Sequence, residues 1–195
     1  MLKSFSRRYA SKAAFLFAAA LMVSGCAAKL PSEGYTPWNT YLHDDARTNA
    51  SPDKVPLPLK KAWDRDISAF NLFKGYPKEQ LSSAALSGGV LFVGSTDNRF
   101  YSMDMATGKT LWKFDAGSPL EAPPAVTEDR VCFGSSDGVL RCFDRNGTFL
   151  WQFAARSEIL SSPVIREGFV YFSSSDDRVY ALNAATGEKA WNYAR

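Results

Sequence analysis

Ser102-Met103-Asp104-Met105-Ala106-Thr107-Gly108-Lys109-Thr110-Leu111-Trp112 decides the fold, because the stretch comes back twice. Residues Ala181 to Trp191 repeat it, with Asn183 in the Asp place and Thr186, Gly187 and Trp191 in register. Residues Cys142 to Trp151 repeat it one residue shorter, keeping Asp144, Gly147 and Trp151. The three Trp residues stand 39 and 40 positions apart. A fixed period of this size signals a solenoid, a propeller or an array.

Outward from this stretch the copies stay in phase. Val131-Cys132-Phe133 and Val170-Tyr171-Phe172 answer to Leu91-Phe92-Val93. Each run is followed by a polar turn: Ser95-Thr96-Asp97-Asn98, Ser135-Ser136-Asp137-Gly138 or Ser174-Ser175-Asp176-Asp177. A second alternating run leads into the Asx-x-x-Thr-Gly turn and a last strand ending at Trp. Short β-branched and aromatic runs with turn residues every 8–12 positions predict an all-β chain. Four such strands per period of about 40 residues make one propeller blade. The repeats fall near 81–115, 121–154 and 160–194, a partial propeller of about three blades within residues 59–195. Gly108, Gly147 and Gly187 sit where a tight turn wants positive φ. Each Trp offers a large apolar face with which to pack against a neighbouring blade.

The recurring stretch resembles the tryptophan-docking motif of quinoprotein (PQQ-type) β-propellers, A-x-D-x-x-T-G-x-x-x-W. The matching residues are Asp104, Thr107, Gly108 and Trp112; Asp144, Gly147 and Trp151; and Asn183, Thr186, Gly187 and Trp191. Trp38-x-x-Tyr41-x-x-Asp44-x-Ala46-Arg47-Thr48 resembles the segment that leads into many such propellers. The resemblance covers roughly residues 38–195. It implies the fold, because dehydrogenases, kinases and non-enzymatic lipoproteins share the repeat.

Residues 1–25 read as a targeting segment. Lys3, Arg7, Arg8 and Lys12 precede an apolar core from Ala13 to Val23, which is shorter than the roughly 20 residues of a membrane-spanning helix. Val23-Ser24-Gly25-Cys26 matches the bacterial lipobox, so cleavage before Cys26 and lipidation of that residue are expected. Ala27, rather than Asp, points by analogy with bacterial lipoproteins to the outer membrane. Ser6-Arg7-Arg8 resembles a twin-arginine signal, but Ala10 and Ser11 stand where apolar residues belong, so general secretion is expected. The whole chain carries a formal charge of +3, and removing the four cations of the signal leaves −1. No basic stripe remains to suggest nucleic-acid binding. Residues 26–58, with Pro31, Pro37, Pro52, Pro56 and Pro58, form an extended tether. Leu59-Lys60-Lys61-Ala62-Trp63 resembles the last strand of a repeat without its earlier strands, and is expected to complete the final blade of a closed ring.

Closure needs about 4–8 blades. The repeat phase runs intact to Arg195, so the chain is expected to be the first part of a longer propeller, or to close against a second chain.

No catalytic, cofactor or metal site is expected. His43, the sole histidine, lacks sequence partners for a triad or a metal. The Asp97, Asp137 and Asp176 turns are related by blade rotation, so they ring the body instead of converging on a cation. Cys132 and Cys142 flank the Ser136-Asp137-Gly138 turn and are placed opposite one another. A disulfide fits if they form a non-hydrogen-bonded pair, whereas a one-residue slip leaves two small buried thiols. PQQ alcohol dehydrogenases carry an adjacent Cys-Cys pair and a calcium site, and this sequence has no Cys-Cys dipeptide. The nearest functional resemblance is to the BamB-type lipoproteins of outer-membrane β-barrel assembly. It implies a non-enzymatic, lipid-anchored, periplasm-facing protein scaffold that docks on the POTRA domains of a BamA-type insertase. The alternatives are the N-terminal fragment of a PQQ-dependent or other periplasmic propeller enzyme, and a ligand-binding or sensor propeller.

Overall fold

The computed structural model describes residues 57–65 and 82–194. The expected signal, Cys26, Ala27, Trp38 to Thr48 with His43, and nearly all of the tether lie outside them.

The described residues form twelve strands in three antiparallel meanders. Blade one holds β1 (Ala85–Ser87), β2 (Val90–Gly94), β3 (Arg99–Asp104) and β4 (Thr110–Asp115). Blade two holds β5 (Ala125–Val126), β6 (Arg130–Gly134), β7 (Val139–Asp144) and β8 (Phe149–Ala154). Blade three holds β9 (Val164–Arg166), β10 (Phe169–Ser174), β11 (Arg178–Asn183) and β12 (Lys189–Ala194). The short first strands neighbour one another, β1 beside β5 and β5 beside β9, which places them innermost. The longer fourth strands form the outer wall. This is the all-β propeller architecture that the period predicts.

A blade is a single sheet, so its apolar faces are buried between blades. Phe92, Phe100, Leu120, Val131 and Phe133 make one core at the seam of blades one and two. Cys132, Leu140, Ile159, Val170, Phe172 and Leu182 make another at the seam of blades two and three. Phe100 and Phe133 stack across the first seam with centroids 4.0 Å apart.

The docking tryptophans pin these seams. The Trp112 indole N–H donates to the Arg145 carbonyl at 2.8 Å, and that of Trp151 to the Ala184 carbonyl at 2.9 Å. Each ring lies on the next blade's turn glycine. A Cβ at Gly147 would stand 2.8 Å from Trp112, and one at Gly187 2.6 Å from Trp151. The Trp is aimed by a bulge that recurs in every blade. Ser102 opposes Trp112 but Met103 opposes Thr110, leaving Leu111 extra; Leu150 and Ala190 are extra in the same way. A bulge bends the strand and strengthens its twist. It also turns Leu111 and Leu150 outward, 53% and 43% exposed.

Residues 57–65 pair with no strand among the described residues, and the final blade that they are expected to complete is not one of the three described. Trp63 nevertheless takes the docking seat on blade one. Its indole donates to the Met105 carbonyl at 2.8 Å, and its ring is 2.7 Å from where a Gly108 Cβ would be.

Gly187 and Gly168 separate docking from backbone conformation, since both have positive φ (74° and 80°) but only Gly187 lies under a ring. Gly168→Ala is expected to cost about 1–2 kcal/mol from the left-handed backbone alone. Gly187→Ala should cost about 1–3 kcal/mol more, because Trp151 must lift. Urea denaturation of the two variants measures the difference; equal losses would mean the ring contact contributes nothing.

Candidate functional site

The propeller presents two faces. On one, the β2–β3, β6–β7 and β10–β11 turns meet the linkers between blades. Leu120 N–H donates to Ser95 O, Ser136 N–H to Pro119 O, and Ser175 N–H to Glu158 O. The linkers plug each seam: Leu120 and Ile159, fully buried, sit where a Cβ on Gly94 or Gly134 would be, 2.7 and 2.3 Å away. On the other face, Met105 N–H bonds Gly89 O and Ala184 N–H bonds Gly168 O.

The recurring turn aspartates hold their own hairpins. Asp97, Asp137 and Asp176 accept from the backbone N–H of Arg99, Val139 and Arg178, two residues on. Each also binds the side chain four residues on: the Tyr101 hydroxyl, the Arg141 guanidinium or the Tyr180 hydroxyl. This second partner is missed by a reading of turn chemistry alone, although its signal is the recurring Asp-x-x-x-Tyr/Arg spacing. Burial and the bond to Asp97 raise the Tyr101 phenol, and burial and the bond to Asp176 raise that of Tyr180. Burial pushes Asp137 upward, but hydrogen bonds from Arg141, Ser135 and the Val139 N–H leave its carboxyl lowered.

The second aspartate of the repeat closes the turn under the Trp. Asp104 accepts from Thr107 N–H at 2.8 Å and the Thr107 hydroxyl at 2.6 Å, and Thr107 holds its carboxyl down. In the shortened copy Asp144 accepts from Asn146 N–H and Thr148 N–H, and the Thr148 bond lowers it. Asn183 accepts from the N–H groups of Ala185 and Thr186. Gly108, Gly147 and Gly187 follow at φ 68°, 91° and 74°.

Two arginines of blade two reach its neighbours. Arg145 donates to the Ser87 carbonyl and hydroxyl of blade one and lies over the Phe92 ring. Arg130 donates to the Ala184 carbonyl of blade three and pairs with Asp129. That pairing, with a hydrogen bond from Thr127, lowers Asp129 to about 2. A shallow cleft of about 460 Å³ opens beside it, lined by Thr127, Asp129, Glu167 and Asn183 among others.

A family model described as outer membrane protein assembly factor BamB matches residues 59–158 and 142–195. This chain belongs to that family. BamB of Nitrosomonas eutropha is 30% identical over 105 residues, which cover 54% of this chain and 26% of that protein. The quinoprotein ethanol dehydrogenase of Pseudomonas aeruginosa is 26% identical over 131 residues, 56% of this chain and 21% of the enzyme. The chain thus spans between a fifth and about a quarter of the length of these curated relatives. Among solved structures, BamB from Moraxella catarrhalis superposes with a TM-score of 0.53 at 24% identity, covering 58% of this chain and 36% of that one. The quinohemoprotein alcohol dehydrogenase from Comamonas testosteroni gives 0.61 at 19% identity, covering 81% and 27%. These superpositions establish the fold.

Within this BamB-family chain the cysteines take a definite place. Cys132 and Cys142 are opposed in the β6–β7 ladder and joined, with S–S 2.08 Å and Cα atoms 4.2 Å apart. Both are fully buried against Trp151. They are ten residues apart in sequence and fully buried, so they do not fit the adjacent Cys-Cys pair of a quinone pocket. No group of three or more His, Cys, Asp or Glu side chains converges among the described residues.

The aspartate shifts set an acid dependence. Asp104, Asp129, Asp137, Asp144 and Asp176 are all lowered from their ordinary 3.8. A depressed carboxyl contributes stability that is complete above its unfolded value and lost as pH falls through the folded one. The urea midpoint should therefore hold above about pH 4 and fall steadily toward pH 2. Asp129→Asn should lower the plateau and shallow the fall.

Proposed function

We propose that this chain forms the membrane-anchored, N-terminal blades of a non-enzymatic BamB-like scaffold in outer-membrane β-barrel protein assembly. The observation that carries the reading is the commitment of the repeated turn side chains. Asp97, Asp137 and Asp176 each bind their own backbone and a side chain four residues on. Such turns hold loops in fixed positions, and loops on a rigid body are suited to presenting a binding surface. The family match over residues 59–158 and 142–195 supports the same reading.

The domain plan follows. Residues 1–25 export the chain, Cys26 carries the lipid, residues 26–58 are the tether, and residues 59–195 begin the propeller. Multiple acyl chains hold a protein stably at a membrane. The propeller then faces the periplasm from the outer membrane, and the partner is the POTRA region of a BamA-type insertase. An oxidising periplasm also suits the Cys132–Cys142 bond.

The test uses the native protein in its own cells. It should co-purify with the β-barrel insertase after mild cross-linking, and Cys26→Ser should move it from the membrane to the soluble fraction and abolish fatty-acid labelling. Quinone-dependent dye reduction by the purified protein, without insertase capture, would favour the enzyme that its similarity to a quinoprotein dehydrogenase allows.

A further inference from the structure

Beneath the fourth-strand tryptophan of each blade lies one cross-strand pair, and the three copies fill it differently. In blade one Phe92 opposes Ser102, and Ser102 opposes Trp112. The Phe92 ring stands 6.3 Å from Trp112. In blade three Tyr171 opposes Ala181, Ala181 opposes Trp191, and the Tyr171 ring stands 6.1 Å from Trp191. The rule in both is an aromatic ring beside a small residue. The Ser102 hydroxyl, fully buried without a hydrogen-bond partner, is there for its size.

Blade two breaks the rule. Cys132 opposes Cys142, and Cys142 opposes Trp151. The disulfide occupies the place of ring and small residue together. Both cysteines are fully buried in the cluster that also holds Val170 and Leu182 of blade three. Trp151 is the residue that ties blade two to the Ala184 carbonyl and the Gly187 turn.

We propose that the Cys132–Cys142 disulfide is a redox-sensitive brace for the seam between blades two and three. A dithiol reductant would supply two electrons and two protons, leaving two thiols here and a disulfide on the reductant. The sulfurs would then move from bonding to van der Waals separation inside a close-packed site. Either the β6–β7 ladder spreads or a thiol presses on Trp151. Both displace the indole from its seat and loosen the 184–187 turn. The seam of blades one and two, braced by Phe92, carries no such sensitivity.

The test is amide hydrogen exchange on the whole 195-residue chain, oxidised and after dithiothreitol, read at two turns. In the reduced chain, exchange at the Ala184 and Gly187 amides should rise about tenfold or more, while the 145–147 turn under Trp112 stays unchanged. The double variant C132F/C142S, which copies the blade-one pair, should keep the 184–187 turn protected with and without reductant. Unchanged protection in the reduced wild type would overturn the proposal, as would equal loosening of the double variant by reductant. If the double variant does not fold, the wild-type comparison between the two turns decides by itself.

Discussion

An indole lying on a glycine is the contact from which the architecture follows. Each blade is a four-stranded sheet with apolar residues on both sides, and it has no interior of its own. Its core exists only when a neighbour arrives. Trp112 on Gly147 and Trp151 on Gly187 set where the neighbour stands. A side chain on either glycine would hold the ring off the turn, and the carbonyl that accepts the indole N–H would be out of reach. On the opposite face Leu120 and Ile159 press on Gly94 and Gly134 in the same way. Each seam is therefore fixed at both ends by a large side chain seated on backbone. Two such fixed points leave little freedom for the angle between blades, which the stacked Phe100 and Phe133 rings then fill.

Much of this was legible in the sequence. The period, the Asx-x-x-Thr-Gly turn and the recurring Trp are local patterns, and they predict the strands, the turns and the propeller. The opposition of Cys132 and Cys142 follows from counting residues back from one hairpin turn. What was not legible depends on distances between blades. Nothing near Trp112 in sequence says that its partner is the Arg145 carbonyl, 33 residues away. The bulge residues Leu111, Leu150 and Ala190 read as ordinary strand positions until the register is known. The arm from Leu59 to Trp63 has the composition of a strand, but a strand is a pairing and no composition supplies the partner. Its Trp keeps the inter-blade contact without the ladder.

The candidate surface shows the same division. Local chemistry explains why Asp97, Asp137 and Asp176 sit at turns. The fold adds that each is also held by a side chain four residues on. Groups tied in this way are poor candidates for reaction chemistry, because a proton or metal would have to displace an existing partner. They are good at keeping a loop in place. The repeat thus builds a stiff body, and any specificity has to reside where the copies differ.

Those differences gather in blade two. Arg145 stands where the other copies have Met105 and Ala184, and Arg130 where they have Val90 and Phe169. The Cys132–Cys142 pair stands where they have a ring and a small residue. Each departure strengthens a link: Arg145 reaches back to blade one, Arg130 reaches forward to blade three, and the disulfide ties β6 to β7 beneath Trp151. An array held only by nearest-neighbour contacts is as strong as its weakest seam. Placing the extra links in the middle blade supports both seams at once. It also makes the geometry of the seam between blades two and three answer to one covalent bond, the single element among these contacts whose state is set by chemistry outside the fold.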